Sequence, residues 1–136
     1  MKISTKGRYA LRVMMDVALH DNGDYISLKD ISARQDITIK YLEQIVSSLS
    51  KSGYLISMRG NNGGYRLAMD PKDCNIGEML RAIEGNLNPV ECVAGDTGIG
   101  CPMSNSCTTL PFWKGLDEVV NNYINSYTLQ DLIDQN

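Results

Sequence analysis

Apolar positions in the first half of the chain recur at helical spacing in three successive segments. The first predicted helix runs from about residue 6 to residue 20. The second is short, with Ser27 as its N-cap. The third begins after the N-cap candidate Thr38 and continues through Leu49, and its predicted inner face is Ile39, Leu42, Ile45, Val46 and Leu49. Two short helices joined by a turn indicate a helix-turn-helix.

A hairpin is predicted directly after the third helix. Residues 54–59 and 65–68 form two short strand patterns, and residues 60–64 between them are Gly and Asn, which tolerate positive φ. A hairpin in this position is a wing. Arg59 and Arg66 flank its tip, where an arginine can enter a minor groove or contact phosphates. The expected fold is therefore mainly α with a small β-wing, a winged helix-turn-helix.

A long helix is predicted in the last part of the chain. Pro111 suits its first turn, and its apolar positions are Phe112, Leu116, Val119, Val120, Tyr123, Ile124 and Tyr127. This apolar face is too broad for a helix that packs on one surface only. We expect one side to pack on the first domain and the other on a second copy of the chain, which makes it a C-terminal dimerisation helix.

The distribution of charge favours a polyanionic partner. The net charge is −3, but residues 1–66 carry +4 and residues 67–136 carry −7. A basic half with a helix-turn-helix is typical of a DNA-binding protein. The outward side chains of the third helix can hydrogen-bond base edges or phosphates in a major groove.

The composition excludes other classes of protein. No apolar run approaches the roughly 20 residues needed to span a bilayer, and the first residues lack the apolar core of a signal peptide. We expect a cytoplasmic protein. The chain has no CxxC pair and no phosphate-binding glycine loop, and no Cys–His pairing is visible by spacing, which argues against an enzyme.

Three cysteines, Cys92, Cys101 and Cys107, lie in a polar segment rich in Gly, Asn, Ser and Thr. Disulfides do not explain them in a compartment that keeps thiols reduced. Neighbouring thiolates select zinc or iron–sulfur clusters, and the spacing differs from the CxxC pairs of zinc ribbons. The residues alone predict a metal site and leave its type open.

Several motifs together resemble a known family, the winged helix-turn-helix regulators that include IscR, NsrR and CymR. They are spread over nearly the whole chain. The matching segments are residues 4–10 (STKGRYA), 41–44 (YLEQ), 59–60 with 63–65 (RG and GGY), 77–78 (GE) and 82–85 (AIEG), together with Trp113 in the last long helix.

The resemblance implies a homodimer that places two recognition helices in successive major grooves of a palindromic operator. With the reasoning above, it gives the candidate DNA-binding residues Ser27, Thr38, Lys40, Tyr41, Glu43, Gln44, Ser47, Arg59, Gly60 and Arg66. It also implies three parts: a DNA-binding domain (1–85), a cysteine loop (86–108), and a dimerisation helix with a C-terminal tail (109–136).

The resemblance further implies a cluster on Cys92, Cys101 and Cys107, because IscR-like and NsrR-like relatives bind an iron–sulfur cluster in this loop. We favour 2Fe–2S over 4Fe–4S. The fourth ligand is unknown. Leu110 stands where IscR-like proteins have a histidine, and Arg8 stands where an acidic ligand of NsrR-like proteins would lie. Glu91, Asp96, a backbone atom or a small molecule remain alternatives.

Two other functions stay open at this point. One is a CymR-like regulator that has no cluster and acts through a protein partner of cysteine metabolism. The other is a regulator in which the cysteine loop holds a structural zinc ion.

Overall fold

The computed structural model describes residues 3–93, 103 and 105–136. It is mostly helical with one two-stranded antiparallel sheet, which confirms the expected fold class. In chain order the elements are α1 (Thr5–Leu19), α2 (Leu28–Gln35), α3 (Ile39–Lys51), β1 (Leu55–Met58), β2 (Gly64–Leu67), α4 (Ile76–Glu84), α5 (Leu110–Asn125) and α6 (Leu129–Asp134). No helix in these described residues is long and apolar enough to cross a membrane.

Side-chain caps define where the first four helices begin. The side-chain oxygens of Ser4, Ser27, Thr38 and Asn75 each accept a hydrogen bond from the backbone N–H three residues on. A cap of this kind stabilises a helix by about 1 kcal/mol. The Ser27 and Thr38 caps are those predicted from the sequence, so these helix boundaries are encoded locally.

The core lies where α1 crosses α3 and α4. Its fully buried members include Ala10, Val13 and Met14 of α1, Leu42, Ile45, Val46 and Leu49 of α3, and Met79 of α4. The N-terminus of α1 is also joined to the C-terminus of α4. The Glu84 carboxylate accepts hydrogen bonds from the backbone N–H and the hydroxyl of Ser4.

The hairpin is attached to the segment that precedes α2. Strands β1 and β2 pair from Leu55 with Leu67 to Met58 with Gly64. Ile26 and Tyr65 exchange two backbone hydrogen bonds of 2.9 and 2.8 Å, so the segment before α2 pairs with β2. Gly64 has φ of 148°, and a Cβ there would overlap the Ile26 carbonyl oxygen. Close backbone contact therefore fixes the wing relative to α2.

The last helix, α6, departs from the sequence expectation. The predicted long helix ran to Tyr127 with a tail beyond it, whereas α5 ends at Asn125 and a new helix begins after Thr128. Thr128 and Asp131 form a reciprocal capping box. Leu129 is fully buried and α6 packs on α1. The Leu129 N–H donates to the Cys74 carbonyl and the Ile76 N–H to the Tyr127 carbonyl, both at 2.9 Å.

Candidate nucleic-acid interface and cysteine loop

The turn between α2 and α3 has the geometry of a helix-turn-helix. Asp36 ends α2 with φ of 54°, in the left-handed region. The Ser32 hydroxyl donates to the Ile37 carbonyl across the turn. Thr38 then caps α3, where the Tyr41 N–H donates to its hydroxyl oxygen at 3.3 Å. The turn therefore sets α3 against α2 with its own caps and hydrogen bonds.

One face of α3 is polar and exposed. Leu42, Ile45, Val46 and Leu49 are fully buried on the opposite face. The exposed candidates are Thr38, Lys40, Glu43, Gln44 and Ser47. These side chains are free to contact a ligand outside the fold, as a helix in a major groove requires.

Ile39 corrects one sequence expectation. The sequence pattern predicts Ile39 on the inner face of α3, but Ile39 is 46% exposed in the structure. It occupies the first position of the helix, beyond the turns that pack on the core. An apolar side chain therefore lies beside Lys40 on the accessible end of α3, and such a side chain can contact a thymine methyl group.

Helix α1 supports Tyr41. Tyr41 is half-buried, and its ring meets the ring of Tyr9 edge-on, with centroids 5.8 Å apart. The Arg12 guanidinium lies 4.9 Å from the centroid of the Tyr9 ring, and Arg12 also donates to the carbonyl of Gln35 at the end of α2. Contacts from α1 thus fix the orientation of Tyr41. The sequence pattern did not mark Tyr9 and Arg12 as site residues, although their i,i+3 spacing places them on one face of α1.

A buried carboxylate joins α1 to α2. Arg34 donates two hydrogen bonds to Asp16, at 3.0 and 2.8 Å, and the Gln35 amide donates a third at 2.9 Å. Burial opposes ionisation and is the largest influence on the pKa of Asp16. The hydrogen bonds from Arg34 and Gln35, with the charges of Arg34 and His20, outweigh it and lower that pKa below its usual value.

The wing presents Arg59 and Gly60 at its exposed tip. Gly60 has φ of 111°, and the Gly63 N–H donates to its carbonyl at 3.0 Å, which closes the turn. Arg66 is placed differently. It is half-buried, pairs with Ile56 in the strand, and lies 5.5 Å from the centroid of the Tyr25 ring. Arg59 is therefore the freer of the two wing arginines.

The described part of the loop contains two of the three predicted cysteine ligands. Cys92 lies in a single helical turn, Glu91–Val93, and Cys107 lies three residues before α5; both are half-buried free thiols. A hydrogen bond between the Cys107 sulfur and the Thr109 hydroxyl, at 3.3 Å, lowers the pKa of Cys107. Cys101 and Asp96 lie outside the described residues. Within those residues, no three His, Cys, Asp or Glu side chains form a metal-binding group.

Cys74 has a different environment. It is buried in the core, and desolvation together with the charge of Glu78 raises its pKa to about 11. A thiol of this kind is inert. The structure also shows the positions considered for a fourth ligand. The candidate Glu91 is exposed. Of the two positions where relatives have a ligand, Leu110 is the first residue of α5, and Arg8 is exposed and donates a hydrogen bond to Thr5.

Helix α5 leaves an apolar face uncovered. Phe112, Leu116, Val119 and Tyr123 recur at i, i+4, i+7 and i+11, and each is between 37% and 66% exposed. On the other side of α5, Ile124 packs against the core. The helix therefore has one covered and one exposed apolar side within a single chain.

Comparison with known proteins identifies the family. Residues 3–135 match the Rrf2 family, described as "Iron-dependent Transcriptional regulator". The chain belongs to the Rrf2 family. It is 38% identical over 133 residues to the HTH-type transcriptional regulator IscR of Yersinia pseudotuberculosis serotype O:1b (strain IP 31758), covering 98% of this chain and 79% of the relative. It is 39% identical over 137 residues to IscR of Vibrio campbellii (strain ATCC BAA-1116), and this match covers 100% of this chain and 79% of the relative.

Solved Rrf2-type structures share the fold. CymR, the global cysteine regulator of B. subtilis, superposes with a TM-score of 0.80 at 34% identity, covering 100% of this chain and 98% of CymR. IscR of T. potens superposes with a TM-score of 0.76 at 33% identity, and the match covers 99% of this chain and 88% of that IscR chain. The Rrf2 chain is thus a helix-turn-helix transcriptional regulator of the IscR type and not an enzyme, which confirms the family expected from its motifs.

Proposed function

We propose that the protein is a dimeric regulator that binds operator DNA through α3 and the wing, and that a cluster on the cysteine loop controls this binding. The observation that carries the first part is the accessible polar face of α3 followed directly by an exposed Arg59 at the tip of a fixed hairpin. A helix of this kind can enter a major groove while the wing contacts the adjacent backbone or minor groove. The candidate contacts are Ser27, Thr38, Lys40, Tyr41, Glu43, Gln44, Ser47, Arg59, Gly60 and Arg66.

The test is the salt dependence of binding to an operator selected from random duplexes. We expect Lys40→Ala and Arg59→Ala to weaken binding and to reduce the slope of log K against log salt by about one per subunit, because each removes a cation that displaces counterions. Lys72→Ala is the matched control, since Lys72 is exposed on the opposite, acidic half of the chain. Equal slopes for all three variants would contradict the proposed surface.

The uncovered side of α5 supports a dimer. Phe112, Leu116, Val119 and Tyr123 form a continuous apolar stripe, and a symmetric second copy can cover it with the same residues. Two recognition helices can then reach half-sites about 34 Å apart. We expect Val119→Glu to produce a monomer in analytical ultracentrifugation. Asn122→Glu adds the same charge beside the stripe and is expected to leave the dimer intact; a wild-type monomer would refute this part.

The donor chemistry of the loop fits an iron–sulfur cluster. Cys92 and Cys107 are free thiols on the two sides of the segment that contains Cys101, and Cys107 has a lowered pKa that favours its thiolate. When bound, a cluster of this class supplies redox-sensitive iron to the three thiolates. We favour 2Fe–2S, and we leave the fourth ligand open among Glu91, Asp96, a backbone atom and a small molecule.

The decisive experiment on the cofactor is anaerobic purification with an absorption spectrum and analysis of iron, sulfide and zinc. We expect iron and sulfide in equal amounts, and their loss in Cys92→Ser and Cys107→Ser but not in Cys74→Ala, because Cys74 is buried in the core. Stoichiometric zinc without sulfide would favour a structural zinc loop. No metal would favour a cluster-free regulator that acts through a protein partner.

A further inference from the structure

The side chain of Asn88 joins the cysteine loop to helix α5. Its amide nitrogen donates to the Val93 carbonyl at 3.1 Å and to the Asp117 carboxylate at 2.8 Å. Cys92 lies between the two loop positions that this amide connects. Both amide hydrogens are therefore used, one within the loop and one on the helix.

The contact continues into a network that reaches α4. The second oxygen of Asp117 accepts from the Asn121 amide at 3.2 Å. Arg81 of α4 donates to the side-chain oxygens of Asn121 and Asn125, both at 2.8 Å. Apart from Asn125, these side chains are half-buried. We call Asn88, Asp117, Asn121 and Arg81 the α4–α5 network.

Helix α5 supports both ends of the loop, in two different ways. The Cys107 end continues directly into α5, which begins at Leu110. The Cys92 end is held by Asp117, which lies two helical turns along α5, about 10 Å from Leu110 at the rise of an α-helix. The segments that carry Cys92 and Cys107 are thus both attached to α5, and Arg81 joins that helix to α4.

We propose that Asn88 and Asp117 are positioning residues that hold the Cys92 arm of the loop on α5 before any metal binds. The significance for cluster assembly rests on the proposed function, but the positioning itself is a property of the metal-free chain. Preorganised ligands lose less conformational entropy on binding. Removing Asn88 or Asp117 frees residues 88–93 from α5 and lets Cys92 open to solvent.

The test measures the alkylation of Cys92 in full-length, reduced, metal-free protein. Iodoacetamide is added, and mass spectrometry follows the Cys92 and Cys74 peptides separately. Because Cys74 is buried in the core, its rate reports global unfolding, and the ratio of the two rates reports local opening. Variants Asn88→Ala and Asp117→Ala are compared with Asn122→Ala and Glu118→Ala, which remove an amide and a carboxylate from exposed residues of α5.

We expect the Cys92-to-Cys74 rate ratio to rise about fivefold in Asn88→Ala and Asp117→Ala, which corresponds to about 1 kcal/mol for the lost hydrogen bonds. The two controls are expected to keep the wild-type ratio. A ratio within twofold of wild type in both network variants would overturn the proposal, as would an equal rise in the controls. A variant that is only destabilised globally raises the Cys74 rate at least as much as the Cys92 rate, so the ratio does not rise, and this outcome also counts against the proposal.

A second readout relates the positioning to the cofactor. If the wild-type protein carries iron and sulfide, a chelator is added to the cluster-loaded variants and the cluster absorbance is followed. We expect Asp117→Ala to lose this absorbance faster than Glu118→Ala does. If the wild type holds no cluster, the proposed cofactor fails while the alkylation result still decides the role of Asn88 and Asp117. The two ideas therefore fail separately.

Discussion

The buried Asp16 carboxylate provides a quantitative test of how the helix-turn-helix is held together. Its side chain is fully buried, and Arg34 supplies two of its hydrogen bonds, whereas the Arg34 side chain is 33% exposed. Arg34→Met removes the charge and both donors and leaves the Gln35 amide as the remaining donor. Breaking a buried pair at one partner costs about 3–5 kcal/mol, and partial exposure of Arg34 favours the lower end, about 3 kcal/mol.

The comparison with a double variant isolates the cause. In Asp16→Leu/Arg34→Met no carboxylate remains unpaired, so we expect the double variant to be more stable than Arg34→Met alone. Urea unfolding followed by circular dichroism at neutral pH gives the three free energies. If Arg34→Met lies within 1 kcal/mol of wild type, or if the double variant is the less stable of the two, the reasoning is wrong.

The pH dependence has a definite sign. The folded pKa of Asp16 lies below the unfolded value of 3.8, so ionised Asp16 contributes stability that is present above pH 3.8 and is lost as the pH falls through the folded pKa. In Arg34→Met, burial without the arginine raises that pKa, and the variant is penalised when Asp16 ionises. The difference in stability between wild type and Arg34→Met should therefore shrink as the pH falls from 7 toward 4.

Three further outcomes follow from contacts described above. Gly64→Ala should lower the free energy of unfolding by at least about 1 kcal/mol more than Gly23→Ala does. Both glycines have positive φ, but only a Cβ at Gly64 would overlap the Ile26 carbonyl. Equal melting temperatures of the two variants would contradict this. Glu43→Ala should broaden operator choice without abolishing binding, since a carboxylate accepts from cytosine and is repelled by phosphates; an unchanged preference over a panel of operator variants would refute it. Glu84→Ala should lower the free energy of unfolding, measured with urea, by about 1–3 kcal/mol. Glu84→Gln should lower it less, because the amide oxygen can still accept a hydrogen bond from the Ser4 N–H at the start of α1.

Local signals explain why so much of the helix-turn-helix and the hairpin was predictable. The Ser27 and Thr38 caps and the glycine-rich hairpin tip each depend on a few adjacent residues, and the structure places them as expected. The face of α3 followed from periodicity, except at Ile39. At the first turn of a helix the period does not say whether a neighbouring element is present to cover the side chain.

The features that the sequence did not reveal depend on distant contacts. Helix α6 has six residues, and its capping box was hidden by an apolar repeat that appeared to continue to Tyr127. The packing of Arg66 on Tyr25 and the pairing of Asn88 with Asp117 join residues 29 or more positions apart. No periodicity encodes such pairs. The cysteine loop was recognised from residue type, and its attachment to α5 required three-dimensional structure.

The packing of α6 on α1 has a consequence for synthesis of the protein. Leu129 completes a core that begins at Ala10, so that core lacks one of its fully buried side chains until Leu129 has left the ribosome. A polypeptide that is still being translated, or one released early, keeps α1 partly uncovered. Burial of α1 therefore depends on residues far along the chain, and the core is completed only after α6 has formed.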